Sequence, residues 1–260
     1  KVFDLLSAAD GNPSSIHSLG RKAKFSLEEA REQIASELGA ESNNIIFTSG
    51  ASEANNLVLN SFKDKSPCFA LASELDHPSL KAPLDSKAFK VRNLELNSIG
   101  KISKESLYKA LRQDLLHFAS LTYVNGETGV INPVLEITKL IKEAHPKCHV
   151  HIDAVQALGK IDLSDLHASK VDSASFSAHK IGALKGIGCL YLKQSFKKSL
   201  KPIIEGGGQE FSLRAGTENL AGIISFSEAI KELSNKEYQK YFEPFQKKLL
   251  HFIKENSDFV

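Results

Sequence analysis

The 260-residue chain is 42% hydrophobic and 25% charged, the balance of a folded globular protein, which excludes a disordered or fibrous chain. Its 33 Lys and Arg stand against 31 Asp and Glu, a formal charge of +2. That is too even for the concentrated basic face needed to grip nucleic acid, so no nucleic-acid partner is expected. No apolar run reaches about 18 residues and no charged-then-apolar N-terminal pattern is present, so neither a membrane partner nor a signal peptide is expected. Cys68, Cys148 and Cys189 form neither a CxxC pair nor a disulfide framework, which points to a reducing, cytoplasmic compartment. The chain contains no Met, even at its start, and is expected to be an incomplete gene product with termini, internal residues or both missing.

Apolar positions at Ala23, Phe25, Leu27, Ala30, Ile34 and Leu38, mostly three or four apart, predict an amphipathic helix over 22–38, stopped by Gly39. A short buried strand over 44–48 follows. The alternation then continues: helix 53–62, strand 68–72, helix 78–86, strand 91–94, helix 104–115, strand 119–124, helix 134–144 and strand 148–152. Strands separated by helices require right-handed crossovers, hence an α/β fold with a mostly parallel sheet covered by helices on both faces. Too little chain separates the apolar stretches 173–176 and 188–192 for a crossover helix, so they are expected to pair as neighbours. From Leu220 onward the pattern is helical, over 221–233 and 238–255. The chain is thus divided into an N-terminal segment (1–12), a large α/β domain (13–220) and the start of a smaller C-terminal domain (221–260). This last part is incomplete, since two helices alone cannot bury the apolar face they present.

Ligands of such sheets bind at the carboxyl ends of the strands, so the polar residues that follow each apolar run are the candidates. After 44–48 come Thr48-Ser49-Gly50-Ala51-Ser52-Glu53, a glycine turn opening a helix whose free amides suit a phosphate. The next runs are followed by His77, by Asn125, by Asp153 with Gln156 one turn on, and by Ser177-Ala178-His179-Lys180. A lysine, a carboxylate and a phosphate-ready helix terminus suit pyridoxal phosphate: the lysine for a Schiff base, the acid to keep the pyridine nitrogen protonated. Lys180 and Asp153 fill those roles. Ser52, Ser177 and His179 are candidate phosphate ligands with the helix start at Ala51, Asn125 and Gln156 candidate partners of the ring oxygen, and His77 a candidate for the ring face. Competing motifs are weaker. Gly186-Ile187-Gly188 lacks a third glycine and precedes a strand, against the dinucleotide pattern. His149 and His151 share one face of a strand but have no clear third ligand for zinc, so no metal is expected. The three cysteines read as small buried hydrophobes.

With those residues in place, a resemblance emerges. Gly11-Asn12-Pro13-Ser14-Ser15 with His17 and Gly20-Arg21, 47–55 (FTSGASEAN), 124–129 (VNGETG), 151–159 (HIDAVQALG), 175–180 (SFSAHK), 185–188 (KGIG) and 206–219 (GGGQEFSLRAGTEN) resemble, in order, the cysteine desulfurases of the NifS/IscS type. These are fold-type I pyridoxal-phosphate enzymes of the class V aminotransferase family. The resemblance implies that Lys180 bonds the cofactor and is the base at Cα, that His77 stacks on its ring, and that Thr217 reaches the phosphate of a neighbouring subunit in a homodimer. It also implies removal of sulfur from L-cysteine to leave L-alanine and an enzyme persulfide, which serves a sulfur acceptor or iron–sulfur scaffold protein. The persulfide cysteine loop and the substrate-carboxylate arginine of the family are expected C-terminal to this chain. Ala183-Leu184 stands where the family has Gly-Pro. The alternative is another fold-type I enzyme of the same cofactor, a selenocysteine lyase or class V aminotransferase, acting on a different amino acid. A non-catalytic relative is disfavoured by intact Lys180, Asp153 and His77.

Overall fold

The structure is a computed structural model that describes residues 11–65, 67–113, 115–233 and 237–256. The segment expected over 1–12 thus falls almost wholly outside the described residues. Helix α1 (Ser18–Glu37) begins ahead of its apolar periodicity because His17 caps it, Nδ1 accepting the Gly20 amide at 3.2 Å. The alternation then runs β1 (Ile45–Thr48), α2 (Ala51–Asn60), β2 (Cys68–Ser73), α3 (Pro78–Leu84), β3 (Phe89–Leu94), α4 (Lys104–Leu111), β4 (Phe118–Thr122), α5 (Val134–Ala144) and β5 (His149–Asp153). Strands β6 (Ser173–Ser177) and β7 (Gly188–Leu192) follow, then helices α6 (Leu220–Leu233) and α7 (Glu237–Glu255).

All seven strands join one sheet in the order β1-β7-β6-β5-β4-β2-β3. From β3 to β6 the pairing is parallel; β7 is antiparallel to both β6 and β1. The short link between β6 and β7 allows only this neighbouring antiparallel pair. Helices cover both faces. On one, Leu27, Ile34, Leu107, Ile137 and Ile223 pack with Val150 and Ile152; on the other, Leu57, Val58 and Leu80 pack with Phe118. Each such side chain, fully buried, contributes roughly 1.5–3 kcal/mol. Leu220, the last residue of the expected large domain, is the first residue of α6, which packs on α1 and places Ile223, Phe226 and Ile230 in the core of the sheet. Among the described residues no helix is long and apolar enough to cross a membrane.

The antiparallel β7 has a geometric consequence. Reversing it leaves β1, β6, β5, β4 and β2 all running one way, so their carboxyl ends share one edge. The chemistry-bearing loops open there.

Candidate active site

A cavity of about 380 Å³ lies at that edge. Ala51 and Ser52 line it after β1, His77 after β2, Asn125 after β4, Asp153 at the end of β5 with Gln156 beyond it, and Ser177 at the end of β6 with His179 and Lys180 beyond it. Every cofactor residue expected from the sequence is brought together here except Thr217, which is exposed and is not part of this cavity.

The cradle for an anion is built by close approach. The N-cap of α2 is Gly50, which offers no side chain, and the first amide, of Ala51, donates instead to Ser177 Oγ at 3.0 Å. Ser177 reaches that point because Gly188 has no side chain: a Cβ there would lie 2.3 Å from the Phe176 carbonyl oxygen and 2.7 Å from Gly50 Cα. The positive end of the α2 dipole and its amides thus face the cavity beside a hydroxyl. His179 stands exposed nearby, its imidazole held below the usual range by burial and then by the charges of Lys180 and Lys185.

Lys180 sits in the single turn Ala178–Ile181, closed by Gly182 at φ +86°. Gly182 takes the left-handed conformation that releases the turn at low cost. Past it, the Leu184 amide donates to Ser225 Oγ of α6 at 3.0 Å, a bond that proline, lacking an N–H, cannot make. The Ala183-Leu184 departure therefore carries its own tether.

Two carboxylates form the buried side. Asp153 accepts the Val155 amide at 3.1 Å on Oδ1 and faces Asn55 Nδ2 at 3.5 Å with Oδ2. Burial raises its pKa; those two contacts and the charge of His77 pull the other way. Asp76, which the sequence reading passed over, accepts the Thr122 hydroxyl at 2.7 Å and the Ser73 amide at 3.1 Å. Burial, with a smaller contribution from Asp153, pushes it up to about 6. His77 caps α3 through Nδ1, which accepts the Ser79 amide at 3.1 Å and meets Ser79 Oγ at 2.8 Å. Asn125 is largely engaged in its own turn: Oδ1 accepts the Glu127 and Thr128 amides and the Thr128 hydroxyl, and Nδ2 donates to the Leu75 carbonyl at 3.3 Å. Gln156 Oε1 accepts from Lys160 Nζ at 2.9 Å. Besides Asp76, sequence reasoning missed Asn55, Ser79 and Thr122; Asn55 was visible only as the last residue of the FTSGASEAN segment, one helical turn past Ala51.

A second fixture holds the segment that carries Thr217. Arg31 of α1 and Glu210, both buried, form a fork with two 2.8 Å bonds, and Glu210 also accepts the Phe47 amide of β1 at 2.7 Å. Glu210, Phe211 and Ser212 all have left-handed backbones, at φ 45°, 62° and 63°, each costing on the order of 1–2 kcal/mol. The fork, and the Phe211 ring lying against the cations of Arg31 and Lys197, hold that turn in place.

Residues 2–255 match the aminotransferase class-V family. The chain belongs to that family. It is 40% identical over 256 residues to the cysteine desulfurase IscS of Dictyoglomus turgidum, a match covering 94% of this chain and 62% of that protein. Among solved structures, a NifS-like protein superposes with a TM-score of 0.89 at 33% identity, over 98% of this chain and 71% of that one. SspA in complex with cysteine superposes with a TM-score of 0.81 at 30% identity, over 94% and 74%. The chain spans less than two thirds of the length of the curated relatives it matches.

Proposed function

We propose that this chain is the cofactor-binding part of a pyridoxal-phosphate-dependent cysteine desulfurase. One observation carries the reading: a single cavity gathers a lysine without a protein hydrogen bond among the described residues, a buried carboxylate and a helix N-terminus whose N-cap is a glycine. That donor set fits the cofactor at its three reactive places. Asp153 would pair with a protonated ring nitrogen, having no salt-bridge partner among the described residues; Lys180 would bond the aldehyde carbon. The α2 terminus with Ser52, Ser177 and His179 would hold the phosphate. The second Asn125 amide hydrogen and Gln156 would meet the ring hydroxyl, with His77 on the ring face. When bound, the cofactor supplies an electron sink for charge developing at the substrate Cα. Lys180 Nζ takes the Cα proton, and His77, whose Nδ1 is engaged by Ser79, presents Nε2 for proton transfer.

L-cysteine and an enzyme thiol would yield L-alanine and an enzyme persulfide, whose outer sulfur passes to an acceptor or iron–sulfur scaffold protein. SspA, a structural relative, is seen with cysteine, which supports that substrate. None of the three thiols here suits the attacking role. All are buried and free, and burial pushes Cys68 up to about 11 and holds Cys148 and Cys189 far above the ordinary thiol range. Three free thiols also suit a cytoplasmic protein. Exposed Thr217, on a segment fixed by Arg31 and Glu210, supports a homodimer in which it reaches the neighbour's phosphate.

The test is to load the full-length protein with pyridoxal phosphate, add L-cysteine with dithiothreitol, which reduces the persulfide and releases its outer sulfur as sulfide, and assay alanine and sulfide together. Lys180→Ala should lose both the visible absorbance of the covalently held cofactor and alanine formation; alanine produced by that variant overturns the role of Lys180. A wild-type absorbance change on adding cysteine without sulfide points instead to a different reaction on the same cofactor.

A further inference from the structure

Behind Asp153, away from the cavity, runs a line of buried polar groups that the reaction does not use. His149, His151 and Asp153 alternate along β5 and so share one face of the sheet. On that face His149 Nε2 meets Ser173 Oγ at 2.7 Å, the same hydroxyl meets His151 Nδ1 at 2.7 Å, and His151 Nε2 meets Asn55 Oδ1 at 2.9 Å. Asn55 then turns its Nδ2 to Ser79 Oγ at 2.9 Å and to Asp153 Oδ2 at 3.5 Å. The rings lie among aromatics, Phe62, Phe118 and Phe196 around His149 and Phe118 beside His151. Two histidines buried in an aromatic layer are a costly choice for mere filling.

The direction of every proton in this line follows from its end. With Asp153 ionised, the state that pairs with a protonated ring nitrogen, the carboxylate only accepts, so Asn55 must face it with Nδ2 and turn Oδ1 to His151. His151 Nε2 must therefore carry the hydrogen. Nδ1 of the same neutral ring accepts, so Ser173 donates to it, and His149 Nε2–H completes the line by donating to Ser173. Burial keeps the imidazoles neutral as this pattern requires, His151 being pushed down to about 3. At the other end, Ser79 Oγ accepts from Asn55 and is left to donate its own hydrogen to His77 Nδ1.

We propose that His151 is a positioning residue: as the Nε2–H tautomer it locks the amide of Asn55, which then holds Asp153 and Ser79 in the states that the ring nitrogen and His77 require. Without that donor, Asn55 is free to turn its oxygen toward the carboxylate. The role rests on the cofactor reading above; the tautomer rests on an ionised Asp153.

Two measurements test it. In the unloaded full-length protein with labelled histidines, long-range proton–nitrogen correlation should place the hydrogen of His151, and that of His149, on Nε2; a hydrogen on His151 Nδ1 overturns the proposal. Titration with pyridoxal phosphate should then show His151→Leu binding roughly tenfold or more weakly, while His151→Gln, which keeps an N–H donor, recovers most of the affinity. A residue that only filled space would give the opposite ranking, with Leu the better replacement, and that result, or wild-type affinity in His151→Leu, rejects the role. Should His151→Leu fail to fold, the His151 proton position and the affinity of His151→Gln still decide. A wild type that binds no pyridoxal phosphate refutes the functional reading, and the role of His151 with it, while leaving the proton positions to stand.

Discussion

Glu210 on one side, and Asp153 with Asp76 on the other, are carboxylates buried in opposite ways. Glu210 is matched on all sides, by both arms of the Arg31 guanidinium and by the Phe47 amide. Asp153 and Asp76 accept hydrogen bonds but form no direct salt bridge among the described residues, and burial drives both upward. Matched, a buried charge becomes a fixture: it anchors a left-handed turn that would not otherwise persist. Left short of a cation, it becomes a place where a positive ring nitrogen is welcome. The fixture frames the segment of Thr217, the unmatched pair forms the cavity wall, and removing one partner should cost very different things in each.

The largest effect is expected at the fixture. Glu210→Ala leaves a buried guanidinium unpaired and the Phe47 amide without its acceptor, and should lower stability by about 3–5 kcal/mol; urea unfolding of the unloaded protein measures it. Replacing both partners with apolar residues, Arg31→Met with Glu210→Leu, should recover much of that loss, since the penalty comes from the orphaned charge. A double variant as unstable as Glu210→Ala would mean that the turn, not the charge, carries the energy.

At the cavity the sign differs. Asp153→Asn should fold as well as the wild type, because it removes a charge that burial disfavours, yet it should weaken cofactor binding and slow Cα proton removal, a loss of about 1.5–3 kcal/mol for a hydrogen bond to a charged group. Turnover at the wild-type level would end the ring-nitrogen role. Asp76 makes the contrast visible in pH. Its folded pKa of about 6 lies above the reference 3.8, so between those values the folded state holds the proton more often than the unfolded chain does. Its contribution is fully present below about 4 and is lost as pH rises through 6. The stability of the wild type relative to Asp76→Asn should therefore fall from pH 4 to pH 6.5. A relative stability that stays flat or rises over that range would show that Asp76 stays ionised throughout.

What was legible in the sequence was local. Periodicities of two and of three to four mark strands and helices whatever the distant chain does, and the doubly wound rule then places Ser52, His77, Asn125, Asp153 and Lys180 at one edge. Edges blurred where caps and single bonds decide: α1 begins at its His17 cap, and the strand expected over 119–124 stops at Thr122, Val124 keeping only an isolated bridge to Ile131. Arg31 could not be read, because an arginine on the apolar face of a helix looks like a flaw until Glu210, far along the chain, is known to face it. His151 was seen and set aside for lack of a third metal ligand; its partners Asn55 and Ser173 come from a helix and a strand whose meeting no local pattern encodes. Asp76 lay beside His77 in plain view, but its burial comes from the fold.

The smallest effect sharpens the comparison on the lysine loop, where one neutral hydrogen bond adds to the packing of Ala178, Ile181 and Ala183. The Leu184 amide and Ser225 Oγ form one neutral bond between that loop and α6. Leu184→Pro removes the donor, and Ser225→Ala removes the acceptor, so each should cost about 1 kcal/mol, the ordinary net worth of such a bond. Because both delete the same bond, the double variant should be scarcely less stable than either single one, a coupling of about 1 kcal/mol in the cycle. Additive losses would mean that the two residues act separately and that proline at 184 harms the loop by its ring. Coupled losses, with cofactor affinity falling in parallel, would show that this chain replaced the rigidity of a proline with a hydrogen bond to α6.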